Sequence, residues 1–467
     1  MAQTEQAGLR AAGGGYRSPQ YYDVVHRTGL HTGSMAEGAE YVLRSNDRGS
    51  MTVAAPRLYP HLWSWDAAFV SIGLAQLSVS RAVTELRTLL SGQWTTGMIP
   101  HILFGDSGGY FPGPDRWATT TAACAPVGVS TSGICQPPVH AIAVAEVVAR
   151  GRAAGGEDRR VVEAFLADTF DCWFRWHTWL AAARDPHGHG LVEIHHGWES
   201  GLDNSPRWDH SYAMVEPGSL EPFVRTDIAH VTDLSQRPSD YEYRQYAWLI
   251  DQMKAVGYDD TDTRSGVDFR VRDVFMSAIL SVSSEVLAEL GDSIGRDEQA
   301  DHLRELALRF DRGVTRATSQ VTGLARDFDV RSGEWIHTAT IAGFAPLLCS
   351  KDPRLRSRQL RILIGPDWMG HPSLAYPLPT STSPTSPAFR RTTYWRGPVW
   401  PVITWLFSWA LRRHGYYDLA DQLRDTSLRQ LAHEDFAEYY DPFSGAPLGS
   451  RNQSWTAAVA LAWLSER

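Results

Sequence analysis

The chain has 467 residues, 43% of them hydrophobic and 21% charged, and a formal net charge of −9. This balance is typical of a globular protein with a large hydrophobic core. Because Lys and Arg are neither clustered nor interleaved with aromatic residues, the sequence lacks the pattern of a protein that binds nucleic acid or an acidic membrane, and we expect neither as a partner.

Helical spacing of apolar residues recurs along the chain, whereas the alternation typical of strands is rare. The predicted helices, in chain order, cover residues 34–46, 66–78, 80–93, 138–151, 158–183, 240–256, 267–290, 296–318, 336–348, 399–414, 416–432 and 453–466. The sequence therefore predicts an all-α fold.

The predicted helices are of two kinds. Segments 399–414 and 453–466 are apolar around most of their circumference, whereas 296–318 and 416–432 carry charges on one face. This contrast predicts an inner and an outer layer of helices. A ring of helical hairpins would have both layers, although periodicity alone does not distinguish it from another α-solenoid. The absence of a visible sequence repeat weakens the TPR-like and HEAT-like alternatives.

The chain contains no Gly/Ser tract, charge block or Pro-rich spacer, so we predict a single domain over residues 34–467. The preceding extension, residues 1–33, is polar and lacks the apolar core of a signal peptide, which predicts a cytoplasmic protein with a poorly ordered start. The most apolar run, residues 400–411, is too short and too interrupted for a membrane span, so we expect a buried helix there.

Three long connections are predicted, at about 94–137, 184–239 and 365–398. Long loops without secondary structure are usually functional or disordered in a compact domain. The third contains the Ser/Thr/Pro-rich stretch 381–387, whose composition fits either a mobile lid or a surface loop.

Metal and cofactor chemistry has little support in the sequence. The pairs His187/His189 and His195/His196 lack the context of a catalytic zinc site, and we interpret them as loop histidines. The 4 cysteines are widely scattered, which predicts buried free thiols. Because nucleotide-binding and serine-esterase motifs are also missing, we expect no cofactor and no metal.

Paired carboxyl groups are the best candidate chemistry. Asp203 lies between Trp198 and Trp208, and an aromatic surround would raise its pKa toward that of a useful acid. The alternative is an Asp that caps a turn, and Glu199 competes for the same role. A second acidic and aromatic cluster, residues 434–445, contains Glu438 as the candidate for the second carboxyl. The alternative is that this cluster is a solvated turn before a helix. Two distant carboxyls across a cavity are what glycoside hydrolysis needs.

Six stretches together resemble glycoside hydrolase family 63, and in particular its bacterial members that hydrolyse glucosylglycerate and mannosylglycerate. They are residues 59–66, 136–138, 196–209, 235–240, 394–401 and 436–440. The resemblance implies an (α/α)6 toroid, with six helical hairpins in two rings and the long loops forming the rim of the active site. It also implies an inverting mechanism, in which Asp203 is the general acid and Glu438 is the general base.

The resemblance implies two sets of substrate-binding residues. The sugar would be held by Trp63, Trp65, Asp66, Gln136, Trp198, Gly201, Trp400 and Gln453. The aglycone would be held by Tyr59, Tyr110, Arg237, Tyr394 and Trp395, with Arg237 as a bidentate partner for the glycerate carboxylate. The alternatives are core packing for the tryptophans and an ordinary surface ion pair for Arg237.

These observations predict a hydrolase of a small α-linked hexosylglycerate, with glucosylglycerate as the first substrate and mannosylglycerate as the second. The resemblance also suggests a homo-oligomer. A trehalase-like or other α-glucosidase on the same toroid is the alternative within enzymes. From another class, a sugar-binding protein without catalysis is the alternative, although the presence of both Asp203 and Glu438 argues against it.

Overall fold

A computed structural model of the protein describes residues 32–106, 108, 110–230, 233–433 and 435–466. The extension predicted for residues 1–33 lies outside them except for its last two residues, which begin the first helix.

The described residues form 16 α-helices, most of them close to the predicted bounds. They are α1 Thr32–Asn46, α2 Ser64–Leu77, α3 Val79–Ser91, α4 Pro114–Trp117, α5 His140–Ala154, α6 Gly156–Ala183, α7 Asp209–Tyr212, α8 Asp240–Ala255, α9 Asp260–Gly266, α10 Val274–Asp292, α11 Asp297–Ala317, α12 Pro346–Cys349, α13 Pro353–Leu363, α14 Pro401–Arg413, α15 Tyr417–Gln430 and α16 Ser454–Ser465.

Six of these helices form a closed inner ring. Each packs against the next in the order α2, α5, α10, α12, α14 and α16, and α16 returns to α2. Six outer helices, α1, α3, α6, α11, α13 and α15, each pack mainly on one inner helix, and all of them except α13 also contact a second inner helix. The predicted (α/α)6 toroid is therefore the observed fold.

The two layers differ in composition as the sequence predicted. The inner helix α16, with the sequence SWTAAVALAWLS, is buried over nearly its whole length. The outer helix α11 buries only one face, which includes Leu303 and Phe310. Among the described residues, α10 is the one helix long and apolar enough to cross a membrane, and 89% of its most apolar stretch is buried inside the protein. Its position in the inner ring accounts for that composition.

Ring closure depends on a close approach between the first and the last inner helices. A Cβ atom added to Gly73 of α2 would lie 2.3 Å from the Ala458 Cα of α16. Since only glycine leaves room for this contact, Gly73 sets the distance at which the two helices meet.

Eight strands of two or three residues lie among the loops. They are β1 Leu62–Trp63, β2 Ile102–Leu103, β3 Val192–Ile194, β4 Val271–Asp273, β5 Asp327–Asp329, β6 Glu334–Ile336, β7 Tyr439–Tyr440 and β8 Pro447–Leu448. Strands β3 to β6 form an antiparallel sheet in chain order, with Val192 opposite Asp273, Val271 opposite Asp329 and Asp327 opposite Ile336. The other four strands form two antiparallel pairs, β1 with β2 and β7 with β8.

Two predicted helices begin too early. The helix predicted from residue 267 begins at Val274, because β4 occupies the preceding residues and the Asp273 carboxylate accepts hydrogen bonds from the Phe275 and Met276 N–H groups. The helix predicted over 336–348 is a 3-10 turn, Ile341–Phe344, followed by the short α12, because β6 extends to Ile336.

The Ser/Thr/Pro-rich stretch 381–387 is buried and paired where it begins. Residues 381–383 are buried, as is the preceding Thr380. Thr382 pairs with Thr340, and Thr380 pairs with Val399, which attaches the stretch to the body of the protein.

Candidate active site

A cavity opens where the inner helices α2, α14 and α16 begin. Fourteen of the fifteen residues predicted for the site line it: Tyr59, Trp63, Trp65, Asp66, Tyr110, Gln136, Trp198, Gly201, Asp203, Arg237, Tyr394, Trp395, Glu438 and Gln453. The toroid thus brings together residues from widely separated stretches of the sequence.

Short elements at this end of the toroid hold the lining side chains. Trp65 and Asp66 lie in the first turn of α2, directly after β1. Trp198 lies in the 3-10 turn Gly197–Ser200 that follows β3, and Gln453 precedes the first residue of α16. Because these residues sit at the ends of packed elements, the helical scaffold fixes their positions.

A chain of hydrogen bonds joins the two candidate catalytic carboxyls. The Tyr394 hydroxyl donates to Asp203 Oδ2 at 3.3 Å and lies 3.3 Å from the Tyr59 hydroxyl, which donates to Glu438 Oε1 at 2.9 Å. These three contacts place the two carboxyl oxygens at most about 9.5 Å apart, which is close enough for both groups to act on one glycosidic bond.

Asp203 is set up as a proton donor. Its side chain is half-buried and its carboxyl faces the cavity, and loss of solvent raises its pKa to about 8, against the opposing effects of Arg237 and the Tyr394 hydrogen bond. Nearby Glu438 raises the pKa of Asp203 further. At neutral pH Asp203 therefore carries a proton.

Glu438 is held at the cavity by two hydrogen bonds. The side chain is 1% exposed, and its Oε2 accepts a hydrogen bond from the Ser450 N–H at 3.0 Å. Gly449 lies against it with a φ of +68°, and a Cβ there would come within 2.6 Å of Glu438 Oε2. Because each oxygen accepts a hydrogen bond, from Tyr59 on one side and from Ser450 on the other, the carboxylate is held in place.

Glu199, which competed with Asp203 for the acid role, has a structural role. It is fully buried and forms a double ion pair with Arg184, at 2.7 and 2.9 Å. It also accepts hydrogen bonds from the His195 and Cys135 N–H groups, at 2.6 and 3.3 Å. Burial alone would raise the pKa of Glu199, but Arg184 and these hydrogen bonds lower it to about 2. Glu199 is therefore ionised at neutral pH and ties the segment before Gln136 to the Trp198 turn.

Arg237 lies inside the protein and not in a surface ion pair. Its Nε donates to Asp227 Oδ2 at 3.2 Å, and its Nη1 donates to the Tyr59 hydroxyl at 3.0 Å. The guanidinium carbon lies 4.5 Å from the centre of the Tyr394 ring. Arg237 thus brings a positive charge to the same end of the cavity as Asp203 and Glu438.

Trp400, predicted to contact the sugar, lies behind the cavity wall. Its ring stacks on Trp395 with a centroid distance of 3.5 Å and an interplanar angle of 4°, and the opposite neighbour is Tyr439 at 4.6 Å. Trp395 covers the cavity side, so Trp400 supports a cavity residue and does not itself line the cavity.

Four lining residues were missed by the sequence prediction: His101, Pro238, Tyr243 and Trp455. Two of them had a local signal, since Pro238 directly follows the predicted Arg237 and Trp455 lies two residues after the predicted Gln453. His101 and Tyr243 lie in segments without a motif, and only folding brings them to the cavity. Burial lowers the pKa of His101 to about 3, so its ring is neutral.

The other histidines and the cysteines lie apart from this chemistry. His195 and His196 lie in the short loop after β3, as interpreted from the sequence, and both are buried. Cys135 and Cys349 are buried free thiols, whereas Cys124 and Cys172 are half-buried. The described residues contain no group of three or more His, Cys, Asp or Glu side chains that could hold a metal ion.

Comparison with known proteins identifies the class. The family model for the mannosylglycerate hydrolase MGH1-like glycoside hydrolase domain matches residues 59–456. The glucosylglycerate hydrolase of Mycolicibacterium hassiacum is 56% identical over 434 residues, 92% of this chain and 97% of the relative. A mannosylglycerate hydrolase of Thermus thermophilus is 37% identical over 90% of this chain and 98% of the relative.

A solved structure agrees with these sequence matches. A GH63 mannosylglycerate hydrolase from Thermus thermophilus, crystallised in complex with Tris and D-glycerate, superposes with a TM-score of 0.84 and 35% identity. The match covers 92% of this chain and 99% of that structure. Fold and site thus define a glycoside hydrolase built on an (α/α)6 toroid. The chain belongs to the MGH1-like glycoside hydrolases of family GH63.

Proposed function

We propose that this protein hydrolyses α-glucosylglycerate to glucose and glycerate with inversion at the anomeric carbon. The observation that carries the proposal is the pair of carboxyls at the cavity, a protonated Asp203 and a hydrogen-bonded Glu438, joined through Tyr394 and Tyr59. The presence of both groups in a family of hydrolases argues against a sugar-binding protein without catalysis.

In the proposed mechanism each carboxyl has one task. Asp203 donates its proton to the glycosidic oxygen as the bond to the anomeric carbon breaks, and glycerate leaves with that proton. Glu438 takes a proton from a water molecule, whose oxygen attacks the anomeric carbon from the opposite face. The product is β-glucose from an α-glycoside, and Asp203 and Glu438 exchange protons with solvent before the next cycle.

Arg237 supports glycerate as the aglycone. Its guanidinium lies at the cavity beside Tyr59 and Tyr394, where it offers a charge-assisted contact to a small carboxylate. Burial raises the pKa of both Asp203 and Asp66, so the cavity holds less negative charge than its three carboxyls suggest. An anionic substrate is therefore tolerated there.

The similarity to known relatives favours glucose over mannose as the hexose of the substrate. The glucosylglycerate hydrolase is 56% identical to this chain, and the mannosylglycerate hydrolases are 36 to 37% identical. We infer that glucosylglycerate is the preferred substrate and mannosylglycerate the second. Cytoplasmic location, a single domain over residues 34–467 and homo-oligomerisation remain predictions.

The test is a substrate panel of glucosylglycerate, mannosylglycerate and trehalose, with proton NMR to report the anomer released first. We expect the highest kcat/KM on glucosylglycerate and β-glucose as the first product. Release of α-glucose would contradict inversion, and a preference for trehalose would favour a trehalase-like enzyme.

The substitution Arg237→Gln tests whether Arg237 recognises the carboxylate of the aglycone. It should raise KM on glucosylglycerate by at least about tenfold, since a charge-assisted hydrogen bond contributes roughly 1.5–3 kcal/mol. The change should be much smaller on glucosylglycerol, which has no carboxylate. Equal losses on both substrates would show that Arg237 does not recognise the glycerate charge.

A further inference from the structure

The segments that carry Asp203 and Tyr394 are joined by a second set of contacts, made by the residues that follow each of them. The Arg396 guanidinium donates to both carboxylate oxygens of Asp209, at 2.7 and 2.6 Å, and to the Asn204 carbonyl at 3.3 Å. The Asn204 side-chain oxygen accepts a hydrogen bond from the Trp395 N–H at 3.0 Å. We call Asn204, Asp209, Trp395 and Arg396 the clamp.

The clamp holds a residue whose backbone is strained. Tyr394 has a φ of +31°, and a bulky aromatic residue adopts this left-handed region only when its surroundings enforce it. The 3-10 turn Tyr394–Arg396 is followed by a second close contact. A Cβ on Gly397 would lie 2.3 Å from the Arg390 carbonyl oxygen. Without the clamp, Tyr394 would relax toward an ordinary backbone conformation, and its hydroxyl would move.

We propose that the clamp positions the general acid, by holding Tyr394 where its hydroxyl donates to Asp203. Asn204, Asp209 and Arg396 are positioning residues, since they act through Tyr394, whereas Trp395 also lines the cavity. This inference rests on the proposed function, in which Asp203 delivers the proton. Because Asp209 is half exposed to solvent, its ion pair adds little to the overall stability.

Several titratable groups besides Tyr394 surround Asp203. They are Arg237, Glu438, Asp66, Tyr110, Tyr212 and Tyr246. Tyr394 directly precedes Trp395 of the clamp and also donates a hydrogen bond to Asp203, whereas Tyr246 lies near Arg396 without a hydrogen bond to Asp203. The Tyr394 hydrogen bond favours the ionised form of Asp203, so loss of that bond should increase the proton affinity of Asp203.

The experiment compares Arg396→Ala with Arg152→Ala. Arg152 is a matched control on the outer surface, since it also donates two hydrogen bonds to one carboxylate, that of Glu163, at 2.8 and 3.0 Å. Like Arg396, it donates a third hydrogen bond to another oxygen, here the Ser293 hydroxyl at 3.1 Å. We expect Arg396→Ala to lower kcat on glucosylglycerate by about 10- to 100-fold with KM changed less than threefold, because a small misplacement of a reacting group has this effect. The alkaline limb of its kcat–pH profile should move to higher pH. Arg152→Ala should leave kcat and the profile unchanged.

A second measurement does not depend on turnover. The Asp203 carboxyl can be titrated by 13C NMR in Asp-labelled protein, with its signal assigned by comparison with Asp203→Asn. The Asp203 pKa should be higher in Arg396→Ala than in the wild-type protein and unchanged in Arg152→Ala. Inactive wild-type protein would contradict the proposed function alone, and the NMR titration would still test the clamp.

Two results would overturn the proposal. One is an Asp203 pKa in Arg396→Ala that equals or falls below the wild-type value. The other is a loss of kcat no greater than that of Arg152→Ala. Combining Asp209→Ala with Arg396→Ala adds a further check. If the two residues act as one unit, this double variant should be no slower than Arg396→Ala alone.

Discussion

Asp203 and Glu199 lie four residues apart, yet their surroundings move their pKa values in opposite directions. Burial raises the pKa of Asp203 to about 8, whereas the double ion pair with Arg184 overcomes burial and lowers the pKa of Glu199 to about 2. The difference lies in direct contact with a buried cation, since Arg184 donates two hydrogen bonds to Glu199, whereas Arg237 donates to Asp227 and Tyr59 and not to Asp203. This arrangement allows one short segment to supply both a proton donor and a structural anchor.

Asp203→Asn and Glu438→Gln should each reduce kcat by about 10²–10⁴-fold, the usual range for loss of general acid or base assistance. The shape of each side chain is kept, so substrate binding should change little, and isothermal titration calorimetry with glucosylglycerate would measure it. An active Asp203→Asn enzyme would contradict the acid assignment.

The raised pKa of Asp203 also has a consequence for stability. Between about pH 4 and pH 8 the folded protein holds a proton on Asp203 that the unfolded chain releases, so this residue's contribution to stability falls as the pH rises through that window. Asparagine has no proton to release. We expect Asp203→Asn and the wild-type protein to have similar Tm values near pH 4, and Asp203→Asn to have the higher Tm at pH 8. Thermal unfolding across this range would measure the difference, and a constant difference would contradict a raised pKa.

At the scale of single elements, helix composition was more predictable than helix start. The strongly apolar α14 and α16 and the one-sided α11 and α15 were assigned to their layers from the sequence, because burial on all sides or on one side selects the side chains directly. The start of α10 was misplaced, because the apolar residues Val267, Phe269 and Val271 lead into β4, whose pairing partners β3 and β5 are distant in sequence. Helix α13 was not predicted, since its sequence PRLRSRQLRIL has several arginines and buries few side chains.

The contact between α2 and α16 offers a test of ring closure. Gly73→Ala should lower the free energy of unfolding by about 1–3 kcal/mol, because the added methyl group overlaps the Ala458 backbone and the two helices must separate. Urea unfolding would measure the change. Gly266→Ala, at the end of α9, is the control, since a Cβ there meets no atom within 4 Å. Equal stability of both variants would show that the ring tolerates a wider spacing.

At the scale of the whole molecule, the closed inner ring predicts one cooperative unit. Each inner helix packs on two neighbours, and the first and last inner helices are neighbours, so no part of the ring can open without exposing the cores of the adjacent hairpins. We expect residues 34–467 to unfold in a single transition, as for one domain. Urea curves from tryptophan fluorescence and from far-ultraviolet circular dichroism should coincide. Two separate transitions would contradict the single domain predicted from the lack of a linker.

The sequence by itself determined the helical class, the two layers and, through its motifs, the family and most of the cavity lining. Each of these depends on local spacing or on short stretches whose residues can be read directly. Only the tertiary structure showed that Glu199 is held in an ion pair, because its partner Arg184 lies in another segment. It also placed Trp400 behind Trp395, brought His101 and Tyr243 to the cavity and joined Asn204 to Arg396. Those outcomes depend on contacts between residues distant in the chain, and the surroundings of a residue, which set its pKa and its partners, exist only after folding.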